Sequence, residues 1–232
     1  MRLWVTRTQP GADATAEALR GLGHEPIVQP VLQYRALADA VVDLAGAAAL
    51  AFTSRNAVEI FAGLSDRRDL TVFTPGEGTA LAARAIGFAD VEAADGAAPE
   101  LAELIARRLQ GGTVVWPGPT EPAGDLVALL AGRGVKARYQ PIYETAPTDD
   151  PLPHDMDGLI VHSPKGASVV AGRLSVEAAR GLVAFAISPA AAAPLAERPF
   201  ARVFVAPRPT ETALIALIAG LTGTPERREP EA

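Results

Sequence analysis

Short runs rich in β-branched and apolar residues alternate with amphipathic runs along almost the whole chain, and that alternation admits few folds. Ten runs read as strands: residues 3–6, 27–29, 50–53, 71–73, 90–92, 114–116, 136–139, 158–162, 183–187 and 202–205. Between them, residues 13–22, 56–64, 79–86, 101–109, 126–131 and 212–221 carry apolar positions at helical spacing. Strands separated by helices imply parallel pairing with right-handed crossovers, hence an α/β fold. Ten strands are many for one open sheet in a chain of 232 residues, so two five-stranded sheets are expected.

An internal repeat divides the chain the same way. Trp4-Val-Thr-Arg-Thr-Gln-Pro matches Trp116-Pro-Gly-Pro-Thr-Glu-Pro, and each match runs on to a Gln-Pro, at Gln29 and Gln140. Phe52-Thr-Ser-Arg-Asn-Ala-Val matches His162-Ser-Pro-Lys-Gly-Ala-Ser, and Thr74-Pro-Gly-Glu-Gly-Thr-Ala matches Ile187-Ser-Pro-Ala-Ala-Ala-Ala. The Trp unit comes first in one set and last in the other. Two circularly permuted domains satisfy that order if one is inserted in the other. Residues 1–32 plus 146–232 form the expected outer domain and 36–140 the inserted one, linked by two strand-like crossings near 32–37 and 142–145. The polar, Pro-rich tail 222–232 is expected to be disordered.

Composition removes several classes of function. With no Cys, disulfides, thiolate metal sites and cysteine nucleophiles are excluded. His24, His154 and His162 show no metal-ligand spacing, so no metal is expected. A net charge of −6 argues against general nucleic-acid binding. No apolar run is long enough to span a membrane, and the opening residues lack a signal-peptide core, which predicts a cytoplasmic protein. Gly76-Glu-Gly78 lacks the three spaced glycines of a dinucleotide fingerprint, and no phosphate-binding loop is present.

In open parallel sheets, ligands bind beyond the carboxyl ends of the strands. The strand-to-helix turns here are Thr6-Arg7, Thr53-Ser54-Arg55, Pro75-Gly-Glu-Gly78-Thr79, Ser163-Pro-Lys165 and Pro207-Arg208-Pro-Thr210. Hydroxyls and cations recur in them, beside helix N-termini that offer unpaired N–H groups. Arg adds bidentate carboxylate recognition. Each Ser or Thr taken alone is an ordinary helix cap. The turns together point to a ligand with several carboxylates.

The residues that carry this pattern also resemble a known family. Phe52-Thr-Ser-Arg-Asn-Ala-Val, Gly76-Glu-Gly-Thr-Ala80, Ile142-Tyr-Glu-Thr145, His162-Ser-Pro164 and Val205-Ala-Pro-Arg-Pro-Thr210 resemble, in order and spacing, the successive signatures of uroporphyrinogen-III synthases. The resemblance runs from Arg2 to about Leu221. It implies two flavodoxin-like α/β domains joined by a two-stranded linker. It implies cyclisation of hydroxymethylbilane, a linear tetrapyrrole, with loss of water and inversion of the last ring, and no organic cofactor. Hydroxymethylbilane synthase would be the supplier. Tyr143 matches the family's linker tyrosine and is the candidate acid. Ser54, Thr79 and Ser163 carry over as carboxylate or backbone contacts. Thr6, Arg7, Arg55, Gly78, Lys165 and Arg208 complete the candidate binding set from the turns. One departure stands out: Ser188-Pro-Ala190-Ala191 replaces a run that carries hydroxyls in many members.

Two other readings remain open on the residues alone. One is a non-catalytic or regulatory two-domain clamp for a polycarboxylate. The other is a nucleotide-dependent α/β enzyme, which the missing glycine fingerprint disfavours. Resolving the product isomers formed from hydroxymethylbilane separates all three.

Overall fold

Val, Ile, Leu and Ala fill runs too short for helices and apolar on both faces, as strands covered by helices on each side require. The computed structural model describes residues 1–222, so the expectation for the tail falls, from residue 223 on, outside the described residues. In chain order the elements are β1 (Arg2–Val5), α1 (Gly11–Gly21), β2 (Glu25–Val28), β3 (Leu32–Ala36), β4 (Ala47–Ala51), α2 (Arg55–Leu64), β5 (Thr71–Thr74), α3 (Glu77–Ala85), β6 (Val91–Ala93), α4 (Ala98–Arg108) and β7 (Thr113–Pro119). There follow α5 (Leu126–Ala131), β8 (Lys136–Pro147), β9 (Gly158–Val161), α6 (Pro164–Arg173), α7 (Val176–Arg180), β10 (Val183–Ala186), α8 (Pro189–Ala192), a 3₁₀ turn (Ala193–Glu197), β11 (Arg202–Val205) and α9 (Glu211–Thr222).

The chain divides into two compact units. Met1–Gln33 with Ala146–Ala232 form the first and Tyr34–Thr145 the second. The first holds a five-stranded sheet of order β11-β10-β9-β1-β2, its registered pairs all parallel. Trp4, Leu159 and Ala184 fill one face of it, and Leu3, Val5, Ile160 and Phe185 the other. Gly158 opens β9 because a Cβ there would stand 2.6 Å from the Val183 carbonyl oxygen.

The second unit carries the order β3-β8-β7-β4-β5-β6, with β8, β7, β4, β5 and β6 paired in parallel. Leu50, Val72 and Val115 cover one face, and Ala49, Ala51, Phe73 and Trp116 the other. The sequence reading expects five strands here, with strand-like crossings near 32–37 and 142–145. The first crossing is β3, the second is the end of β8, and β3 joins the sheet as its sixth strand. The Gln140-Pro141 dipeptide reads as a break, but a residue before proline favours extended backbone. So β8 runs on to Pro147 and takes β3 as an edge partner. Leu37 N–H donates to the Ile142 carbonyl and Thr148 N–H to the Val31 carbonyl, each at 3.0 Å, so these two strands run antiparallel.

The sheets also correct the register of the repeat. Leu50 pairs with Val115 and Val72, and Leu159 pairs with Trp4 and Ala184. Ser54 and Ser163, each four residues beyond its leucine, are both N-caps. Trp4 is therefore equivalent to Val115, not Trp116, and Phe73 to Phe185. Each sequence match is one residue out of step. In a strand one residue turns a side chain to the other face, and the two tryptophans do lie on opposite faces of their sheets.

Candidate active site

In the second unit β4 leads through α2 to β5, while β7 leads through α5 to β8 on the other side. The strand order reverses between β4 and β7, and open α/β sheets bind ligands in the crevice at such a point. A pocket of about 510 Å³ lies there, within the usual range for small-molecule sites. Tyr34, Thr53, Ser54, Trp116, Tyr143 and Thr145 contribute to its walls, and among the described lining residues only Glu121 carries a formal charge. Aromatic faces edged by hydroxyls suit a flat heteroaromatic ring better than a bare anion.

Local structure fixes each wall. Ser54 caps α2, its Oγ accepting the Ala57 N–H at 3.2 Å. The same Oγ stands 3.2 Å from Tyr143 Oη. Tyr143 is 4% exposed and meets Tyr34 edge to face at 5.9 Å. Burial pushes its phenol above the ordinary value, and Tyr34 adds to this, while the Ser54 hydrogen bond pulls the other way. The phenol is therefore firmly protonated at neutral pH. Trp116 Nε1–H donates to Thr53 Oγ1 at 3.2 Å. Tyr139 lies 4.5 Å from the Trp116 ring, and burial with the neighbouring Tyr143 pushes its phenol up to about 12. Gly118 makes room for that ring, since a Cβ would meet Tyr139 Cε2 at 2.8 Å.

In the first unit the order reverses between β1 and β9, and charged and polar side chains meet beyond those strands. Arg7 donates to Glu211 Oε2 at 2.9 Å, Thr15 to Glu211 Oε1 at 2.5 Å, and His162 Nε2 stands 2.9 Å from Oε2. Burial acts to raise the Glu211 pKa. The hydrogen bonds from His162 and Thr15, with the charges of His162 and Arg7, outweigh it and hold the carboxyl below its ordinary 4.5. A depressed carboxyl stabilises the fold above its unfolded pKa, and that share is lost as pH falls through the folded value. The urea midpoint of the wild type should thus exceed that of Glu211→Gln by a constant margin above about pH 5.5, shrinking below about 4.5. A margin unchanged down to pH 3 would mean that the carboxylate stabilises nothing.

The other expected binding residues are not among the walls of this pocket. Thr6 is buried and its hydroxyl donates to the Ile160 carbonyl at 2.7 Å. Ser163 caps α6 by accepting the Gly166 N–H at 3.1 Å. Arg55, Lys165 and Arg208 are exposed and do not line the pocket. Gly78 is exposed in the first turn of α3, where the Gly76 cap offers no side chain. Thr79 is buried beside it. Ser188, at the departure from the family pattern, caps α8 through the Ala191 N–H.

A family model described as uroporphyrinogen-III synthase HemD matches residues 13–216. The chain belongs to the uroporphyrinogen-III synthase family. Members of this family are cyclising lyases of haem biosynthesis that act on hydroxymethylbilane. Among solved structures, the uroporphyrinogen-III synthetase of Helicobacter pylori 26695 is 19% identical with a TM-score of 0.61, covering 95% of this chain and 100% of that one. At that identity the likeness speaks for the fold. A mutant uroporphyrinogen III synthase from the extremely thermophilic bacterium Thermus thermophilus is 18% identical with a TM-score of 0.46, over 97% of this chain and 100% of that one. No curated protein matches the chain. No described helix is long and apolar enough to cross a membrane.

As a uroporphyrinogen-III synthase, the chain holds together two of its expected residues, Ser54 and Tyr143, with Thr53 beside them. Sequence reasoning missed the roles of Thr53, Trp116, Tyr34 and Thr145 as pocket walls. The signal for Thr53 was in plain view in the Thr53-Ser54-Arg55 turn. Nothing local in the sequence around Trp116 signals that its indole meets Thr53 across 63 residues. Glu211 was missed because it meets Arg7 across a separation of 204 residues.

Proposed function

We propose that this uroporphyrinogen-III synthase closes hydroxymethylbilane to uroporphyrinogen III with Tyr143 as the acid at the departing hydroxyl. The observation that carries the assignment is the buried phenol of Tyr143 in the wall of the β4–β7 pocket, protonated and 3.2 Å from Ser54. Hydroxymethylbilane closes by itself to the uninverted isomer. The enzyme must therefore hold one conformer and favour one ring closure, which positioning and hydrogen-bond donors can do. In the net reaction the C–OH bond breaks with a proton from an acid and water leaves, the last pyrrole's bond to its existing methylene bridge breaks, and two new carbon–carbon bonds attach that ring the other way round. The proton lost from its formerly free α-carbon restores the acid.

Carboxylates of the substrate fall, in this reading, to donors at the strand-to-helix turns. Arg55 and Arg208 are exposed and make no side-chain hydrogen bond or ion pair among the described residues. Lys165, the Thr79 hydroxyl and the backbone amides around Gly78 join them, with Ser163 at its helix start. Thr6 and Arg7 hold their turn from inside. Each unit reads as a flavodoxin-like domain, the second inserted in the first. The orders β2-β1-β9-β10-β11 and β8-β7-β4-β5-β6 support this, being one 2-1-3-4-5 arrangement entered at different strands. The instability of the substrate favours direct supply from hydroxymethylbilane synthase.

Incubation with freshly made hydroxymethylbilane, followed by separation of the isomers, tests the proposal. Uroporphyrinogen III should dominate; the uninverted isomer alone would overturn it. Among the described residues no three His, Asp or Glu side chains cluster as metal ligands. The rate should accordingly survive exhaustive chelation and dialysis, and activity restored only by added metal would contradict that expectation.

A further inference from the structure

We propose that Ser54 is a positioning residue for this reaction: its hydroxyl gives its proton to Tyr143 Oη and so aims the phenol's own O–H into the pocket. The inference rests on the reading of Tyr143 as the acid. It follows from counting donors and acceptors. A serine hydroxyl has one proton and two lone pairs, and a phenol likewise both gives and takes. The Ala57 N–H, which can only donate, already points at Ser54 Oγ at 3.2 Å. An oxygen that accepts one hydrogen bond becomes a better donor for the next, because the chain polarises. The α2 N-terminus adds positive potential at the same oxygen. A second proton arriving there from Tyr143 is thus disfavoured, and a proton leaving Ser54 for Tyr143 Oη, at 3.2 Å, is favoured. Tyr143 Oη has no other hydrogen-bond partner among the described residues, and its side chain lines the pocket. Its proton is then left for whatever oxygen the pocket holds.

The neighbouring hydroxyl obeys the same rule. Trp116 Nε1–H, a donor only, points at Thr53 Oγ1 at 3.2 Å. One lone pair of Thr53 is thereby taken and its proton is free for the pocket. Adjacent residues at the end of β4 therefore turn the crevice into a donor surface, one directly and one through Tyr143. A departing hydroxyl or a carboxylate oxygen is the chemistry such a surface receives.

Three substitutions of Ser54 in the full chain separate this role from helix capping. Ser54→Thr keeps the cap and the proton. Ser54→Asp keeps the cap, since Asp is a good N-cap, but has no proton to give. Ser54→Ala removes both. Thr should stay within about threefold of the wild-type kcat. Asp and Ala should lose roughly tenfold or more in kcat, the weight of one hydrogen bond, with KM little changed. Tyr143 is one of three tyrosines, so ¹³Cζ-tyrosine NMR follows its titration, with Tyr143→Phe giving the assignment. A donor to the phenolate lowers the phenol pKa, so Asp and Ala should both raise it while Thr does not.

If Tyr143→Phe is slow but Ser54→Asp and Ser54→Ala turn over normally, the positioning role is wrong and the acid assignment stands. If Tyr143→Phe is itself normal, the acid assignment falls, and the positioning role falls with it. A Tyr143 pKa unmoved by Ser54→Ala overturns the hydrogen-bond direction whatever the rates.

Discussion

Tyr143→Phe should lower the rate of uroporphyrinogen III formation roughly 10²-fold or more, the usual range for a general acid. The substitution keeps the ring that meets Tyr34 and removes one oxygen. Packing is retained, so the urea midpoint should move little. Product binding should persist, because the walls formed by Thr53 and Trp116 are untouched. The measurement is kcat with fresh hydroxymethylbilane, together with the isomer ratio. Without the acid the spontaneous route competes, and the uninverted isomer should rise as a share of product. Near-normal turnover with the inverted isomer still dominant would end the assignment.

The other large effect is on stability. Phe61→Ala should cost about 3–5 kcal/mol, as expected for emptying a closed aromatic site. Phe61 is fully buried on the inner face of α2, with ring centroids of Phe52 and Phe88 at 5.2 and 6.0 Å. The Arg68 guanidinium lies over the same ring at 5.6 Å. Those neighbours lie on three separate connections, after β4, after α3 and between α2 and β5, so none can follow the missing ring without leaving its own contacts. Phe61→Leu should cost less, about 1–1.5 kcal/mol, because most of the volume remains. The chain has two tryptophans, Trp4 and Trp116, so in a Trp4→Phe background fluorescence reports the second unit alone. A loss below about 1 kcal/mol for alanine would show that Phe52 and Phe88 close over the gap. The helix weakened in this way is the one that Ser54 caps, so the damage should reach the site as well.

Most of the strand and helix order was legible because its signals are local. Val114 to Trp116 and Leu159 to Val161 are apolar on both faces, and only a sheet covered on both sides accommodates that. The continuous β8 was not legible. Its Pro141 looks like punctuation, and only the arrival of β3 as a partner decides that the strand goes on. The repeat is visible, but pairing Trp4 with Trp116 by residue type sets its register one residue out. The sheet equates residues by hydrogen-bonded position, which places Trp4 opposite Leu159 and Val115 opposite Leu50. At the site, the hydroxyl-rich turns were visible as composition, and what they do was not. A serine that caps a helix and one that directs a phenol are the same letter, and only the 3.2 Å approach of Tyr143 distinguishes them. The turn cations, expected to surround a carboxylate, divide in fact. Arg7 is taken up by Glu211 in the first unit, while Arg55 points to solvent.

The first unit gives up the chain at Gln33 and takes it back at Ala146. At that doorway Thr148 N–H donates to the Val31 carbonyl and Gln33 Nε2 to the Pro147 carbonyl at 3.4 Å. The opening is the width of a β-hairpin, which two to five residues ordinarily span. In terms of heredity, everything from Tyr34 to Thr145 is a passenger at the tip of a hairpin. A gene can acquire or shed such a passenger at one spot, leaving the host sheet's strand order unaltered, much as loop tips elsewhere accept whole domains.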